Sequence, residues 1–285
     1  CSAELHRETG QFRENLPVVI SLASKALKER HWEAVSSVIG AEIEPNEDLT
    51  LSRLLKMNAA SFIEQIQEVC VSAEKEYGLE RQLQGMKDDW AAIQFEVKAY
   101  KESGTSIVGG IEDIITLLDD HIVKTQAMRG SPFIKPFEGR VRDWEEKLIS
   151  MQEIIDEWLK CQSVWLYLEP IFSSEDITRQ LPTEARRFND VDKTWRKILV
   201  ETNEDPNYLV QASPEKGLCQ KFKLANEKLD LISKGLSDYL EVKRLYFPRF
   251  FFLSADQLIE ILSQTKDPTA VQPHLNKAFE GITTV

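Results

Sequence analysis

Histidines, cysteines and paired carboxylates are the side chains that most often carry chemistry. This 285-residue chain holds His6, His31, His121 and His274, and Cys1, Cys70, Cys161 and Cys219. No histidine stands in a Glu-x-x-His or His-x-x-x-His arrangement, so a di-metal carboxylate bundle or a zinc site lacks its ligands. The cysteines lie far apart, at neither metal-ligand nor disulfide-framework spacing, which points to a reducing cytosolic compartment. Cys70 and Cys161 sit in apolar helical patterns, as core thiols do. There is no Gly-x-Ser-x-Gly elbow. Asp119-Asp120-His121 sets a carboxylate beside an imidazole, but adjacent residues on a helix point in different directions, which favours a solvated or hinge-lining role. His31 has no acidic or cysteine partner at a useful spacing and reads as a packed histidine beside a buried Trp32. Gly104-x4-Gly109 has the glycine spacing of a phosphate loop, yet Gly110 and Ile111 follow where such a loop needs Lys and Ser or Thr. No catalytic residue, metal site or cofactor is therefore expected, and an enzyme built in a helical bundle fails on missing ligands.

The elements explain what the aromatic residues do instead. Phe137, Val141, Trp144, Leu148, Met151, Ile155 and Trp158 advance by alternating fours and threes, with Gln162 and Trp165 at the next two positions. Tryptophans at heptad spacing belong to a seam between helices far more often than to a ligand-stacking box. From Phe137 to Trp165 such a helix is about 42 Å long. A second seam runs Leu218, Phe222, Ala225, Leu229, Ile232, Leu236 and Tyr239, on a helix opened by Pro214, and Leu181 to Ile198 lines one face of another helix. An earlier helix from Ser61 carries Phe62, Ile66, Val69 and Ala73, slips phase around Tyr77-Gly78, and resumes at Leu79, Leu83, Met86, Trp90 and Ile93. That slip predicts a bend or a change of partner. Residues from about Glu4 to Ser37 read as two or three short helices, with Pro17 in a first turn. Alternation at Phe95, Val97 and Ala99 around a glycine-bearing turn predicts one small β-hairpin near 95–109. Asn203 to Pro214, polar and proline-bearing, reads as an exposed loop.

The stretch Tyr239–Leu262, YLEVKRLYFPRFFFLSADQLIEIL, is the most unusual in the chain. Pro248 has to end the incoming helix. Four of the six residues from Phe247 to Phe252 are phenylalanine, each hiding on the order of 150 Å² or more when buried, so the segment is expected to run through a core or a tight interface, with Phe247 and Phe250 as core residues. Ser254 then opens a new helix as its N-cap.

With 35 basic against 47 acidic residues and a net charge of −12, the chain is a poor match for nucleic acid or an anionic membrane, both of which need clustered cations. No apolar run approaches the roughly 20 residues that span a bilayer. The chain starts at Cys1 and stops at Val285 without an initiator Met, and reads as a piece of something longer.

The run YLEVKRLYFPRFFFLSADQLIEILSQTKDPTAVQPHLNKAFEGI, with RHW at Arg30–Trp32 and WLKCQSVWLYLEPIFSSEDITRQLPTEARRF at Trp158–Phe188, resembles the linker region of dynein heavy chains, axonemal more than cytoplasmic. The resemblance covers nearly the whole chain. It implies an all-α, elongated array of antiparallel helix bundles with one small hairpin. It also implies a mechanical lever that lies across the AAA+ ring of the same heavy chain and moves between bent and straight forms as the ring cycles ATP. ATP hydrolysis would sit in the ring, outside this chain. Other dynein subunits and microtubules would be partners of the full-length protein, and its location would be cytoplasm and cytoskeleton, at the ciliary axoneme. Two parts are expected, 1–130 and 131–285, joined at a hinge made by Gly130, Pro132, Phe133, Ile134 and Pro136. Trp32, Trp144, Trp158 and Trp165 are expected in the core. The rival reading is a passive scaffold of spectrin type, which would show repeats of about 100 residues; none is found.

Overall fold

The computed structural model describes residues 2–46, 49–101, 104–263, 272–279 and 281–282. Among these, twelve α-helices, four short 3-10 turns and one two-stranded antiparallel sheet make an all-α array. The chain divides into two compact units, Cys1–Asp89 with Asp120–Glu146, and Trp90–Asp119 with Lys147–Val285.

The first unit starts with α1 (Ser2–Leu22) and α2 (Glu29–Ile39). Two helices thus cover the stretch where two or three are expected, but the first is long and Pro17 lies inside it rather than in a first turn. A proline there removes one ladder bond but does not stop a helix whose Val18 and Leu22 are buried. α3 (Leu51–Lys56) is capped by the Thr50 side chain, which accepts from the Arg53 N–H. α4 (Ile63–Ala92) runs unbroken through Tyr77-Gly78. The phase slip shows as a change of partner. Ile66 and Cys70 pack with Val18, Leu22, Trp32 and Val35, whereas Met86 meets Thr125 of α5 (Ile111–Arg129).

In the second unit, β1 (Glu96–Tyr100) pairs with β2 (Thr105–Gly109) in the register Val97 to Val108. The Gln162 side chain closes the free edge of β2: its amide N–H donates to the Val108 carbonyl at 2.9 Å, and its oxygen accepts from the Val108 N–H at 2.8 Å. That explains a polar residue at a seam position. Gln162 belongs to α6 (Glu138–Phe172), the longest helix. Every apolar seam position from Phe137 to Trp165 is buried. α6 carries Pro170 in its last turn, so the turn expected at Glu169-Pro170 begins only after Phe172. α7 (Glu175–Gln180) and α8 (Pro182–Glu204) follow. The exposed loop expected at Asn203–Pro214 is instead partly core. α9 (Tyr208–Gln211) drives Tyr208 fully out of water, and its hydroxyl donates to the Met151 carbonyl at 3.0 Å. Next to it the Phe95 N–H donates to the Pro206 carbonyl at 2.8 Å. Pro214 opens a 3-10 turn, not the long helix itself; Gly217, at φ +60°, turns the chain into α10 (Leu218–Tyr246). α10 lies so close to α8 that a β-carbon on Gly235 would stand 2.8 Å from Glu184.

Candidate functional site

The reactive residues are placed apart. His31 is buried and tied on both nitrogens. Its Nδ1 accepts from the Lys28 N–H at 3.0 Å, and its Nε2 lies 3.0 Å from Glu76. Glu76 also takes Arg30. This acidic partner stands 45 residues away in sequence, on α4, so no local spacing could reveal it. Trp32 is buried beside it as expected. Asp119 accepts from Gln152 at 3.2 Å and Asp120 pairs with Lys124 at 2.6 Å, so the adjacent carboxylates serve different partners. His121 is buried on the wall of a groove of about 480 Å³ shared with Leu79, Gly85, Met86, Asp89 and Lys124. Burial, then Lys124, lowers its pKa against the opposing pull of Asp120 and Asp89. Burial and Glu157 push the Cys161 thiol up to about 12, which keeps it unreactive. Among the described residues no group of three or more His, Cys, Asp or Glu is placed to hold a metal, and no helix is long and apolar enough to cross a membrane.

The expected hinge residues form an ordered turn. Pro132–Phe137 is a 3-10 helix, and the Ser131 side chain accepts from the Phe133 N–H. Ile134 is buried, Phe133 is half-buried, and Gly130, Pro132 and Pro136 are exposed. Arg129, at the end of α5, reaches over the turn to Glu145 of α6 at 2.6 Å. The turn lies inside the first unit, as does the boundary expected at residue 130. The reason is that the start of α6 is held to α4: Arg140 pairs with Glu80 at 2.7 Å, and Lys87 stands over the Trp144 ring.

Two aromatic groups dominate the second unit. The first is a continuous ladder of rings, Trp90–Tyr208–Phe95–Trp158–Phe222–Trp195–Trp165–Tyr100, with neighbouring centroids 4.7 to 6.4 Å apart. Trp165 also donates its Nε1–H to Asp192, which Arg196 holds from the other side at 2.7 Å. Trp158 and Trp165 are thus core, as their spacing predicts, and Trp144 is buried in the first unit.

The second group is the phenylalanine corner, and here the expectation is corrected. Pro248 ends α10 at Tyr246 as predicted, and Pro248–Phe252 is a 3-10 turn. Phe247, however, is 40% exposed, Phe251 54% and Phe252 70%; Leu245 and Tyr246 before them are 67% and 84% exposed. Phe250 is only half-buried, against Phe247 at 4.8 Å. The tight turn offers few inward directions, and Leu253, not a phenylalanine, is the residue that enters the core. Arg249 folds back onto α12 (Leu275–Ala278), donating to the Ala278 carbonyl at 3.0 Å and lying over the Phe279 ring. Ser254 then caps α11 (Ala255–Ser263) in a reciprocal pair with Gln257. The break expected at Lys266–Pro268 lies outside the described residues.

The second unit thus holds a buried aromatic ladder and an exposed aromatic corner. The chain belongs to the dynein heavy chain family: the family model for "Dynein heavy chain, N-terminal region 2" matches residues 1–285. It is 49% identical over 272 residues, 95% of the chain, to human "Dynein axonemal heavy chain 3". It is 48% identical over 279 residues, 98% of the chain, to rat "Dynein axonemal heavy chain 1". To human "Dynein axonemal heavy chain 12" it is 49% identical over 256 residues, 90% of the chain. The chain spans only 7%, 6% and 8% of these relatives' lengths.

Proposed function

We propose that this chain is the central and C-terminal part of a dynein linker, the lever that couples ATP-driven changes in the AAA+ ring of the same heavy chain to force on microtubules, in the axoneme of a cilium. Membership of the dynein heavy chain N-terminal region carries this reading. The helices suit the role. α6 holds 35 residues without a break, about 52 Å of helix, and its seam is dry. A lever needs stiff rods and a place that absorbs changes in φ and ψ. We assign that place to the turn Gly130–Pro136. Of the ion pairs that close it, Arg140–Glu80 is partly exposed and exchanges at little cost, whereas Arg129–Glu145 holds a buried carboxylate that ties the turn in one of its states. ATP binding and hydrolysis are placed in the ring, outside residues 1–285. The passive spectrin-type scaffold lacks the internal repeats it requires.

The test uses the intact motor with fluorophores at the exposed positions Val71 and Val200. The expected result is a change in energy transfer through the ATP cycle, with Ile134→Ala shifting the ratio of bent to straight forms and leaving ring ATP binding intact. A fixed distance while the lever still swings would put the pivot elsewhere.

A further inference from the structure

We infer that the corner Leu245–Phe252 is an intramolecular docking surface, covered in the intact heavy chain by the segment that follows residue 285. The inference rests on the reading of this chain as part of a longer heavy chain. Within eight residues the corner exposes Leu245, Tyr246, Phe247, Phe251 and Phe252. A solitary exposed apolar side chain needs no explanation, but five in one short turn make a patch of the kind that marks an interaction site. The corner's own interior contacts are already made. Arg249 is spent on the Ala278 carbonyl and the Phe279 ring, Arg244 donates to the Leu253 carbonyl at 3.3 Å, and Leu253 fills the space beneath. Among the described residues, these contacts leave Tyr246, Phe251 and Phe252 exposed.

The position of the outgoing chain names the occupant. α12 packs against this corner: Phe279 lies 6.2 Å from Phe247, ring to ring, and Arg249 clasps it. Gly281, at φ +85°, turns the backbone immediately afterwards. The described chain thus leaves within a few residues of the patch, and a segment tethered that closely meets it at high effective concentration. The relatives are more than ten times the length of this chain, which matches a region named as N-terminal in them, so polypeptide to cover the corner is available in cis. The chemistry required is an apolar, aromatic-rich face. The only charged side chain of the turn, Arg249, is already engaged, so no salt bridge is needed.

The experiment uses the full heavy chain, in two arms. Hydroxyl-radical footprinting reads side-chain exposure tyrosine by tyrosine. Tyr246 is 84% exposed here against 40% for Tyr77 and 43% for Tyr167, so an uncovered corner would be modified fastest. The expected result inverts that order, with Tyr246 slower than both. A photo-crosslinking benzophenone side chain at Phe252 then identifies the cover. Crosslinks within one heavy chain to residues following 285 are expected. Crosslinks to a second heavy chain, to another subunit or to a part of the same heavy chain that precedes these 285 residues would overturn the inference, as would a Tyr246 that remains the fastest. Neither arm depends on the lever moving, so a failed energy-transfer test of the lever leaves this one standing, and the reverse also holds.

Discussion

The ring ladder and the phenylalanine corner lie in the same compact unit, are built from the same residue types, and have opposite fates. Trp165 and Trp195 stack 5.5 Å apart with no appreciable exposure, whereas Phe252 keeps 70% of its surface in water. Composition does not separate them; spacing does. The ladder's Trp158, Trp165, Trp195 and Phe222 sit on α6, α8 and α10 within apolar seams whose residues recur every three or four positions, so their helices turn them inward. The corner's phenylalanines are consecutive, and a tight turn fans consecutive side chains in different directions, so no single wall can receive them. Buried aromatics at helical period are a core. Aromatics crowded into a turn are left facing water.

The sharpest way to break this contrast is to truncate on both sides of it. Trp165→Ala removes a ring stacked on Trp195, an edge contact with Tyr100 and the hydrogen bond to Asp192. Chemical denaturation of the 285-residue chain should show a loss of about 3–5 kcal/mol; a loss below roughly 1 kcal/mol would mean the ladder is no core. Tyr208→Phe keeps the ladder's packing but removes the buried hydroxyl that donates to the Met151 carbonyl. It should cost about 1 kcal/mol in the same assay. Gln162→Leu frees both edge groups of Val108 and should cost a similar amount, about 1–2 kcal/mol, with faster amide exchange confined to the hairpin. Phe252→Ser on the corner should change stability by less than about 0.5 kcal/mol. A larger loss would show that the corner is already packed within this chain.

Much of the fold is legible in the sequence, because helices reveal their buried faces through local periodicity. The seams of α6, α8 and α10, the hairpin, the stop at Pro248 and the Ser254 cap all follow from neighbours within a few positions. The misses have a common cause: each depends on a partner distant in sequence. Tyr208 looks like part of a polar loop until β1 and Met151 are placed beside it. His31 has no visible partner until α4 brings Glu76 across. Area alone sends Phe247 and Phe250 to a core, but area states how much is gained on burial, not which surface is available to provide it. Resemblance to dynein linkers, by contrast, was carried by long uncommon runs and agrees with the family to which the chain belongs.

The most direct test of an unfinished corner on a finished rod is ATP-driven microtubule gliding by the full motor carrying Phe251→Ser and Phe252→Ser together. Since those substitutions should leave the fragment's stability almost untouched, an uncoupled lever is expected: gliding slows severalfold while ATP still binds the ring with unchanged affinity. Gliding at the parent speed would contradict the account, because a corner that joins this element to the rest of the heavy chain cannot lose its rings without consequence.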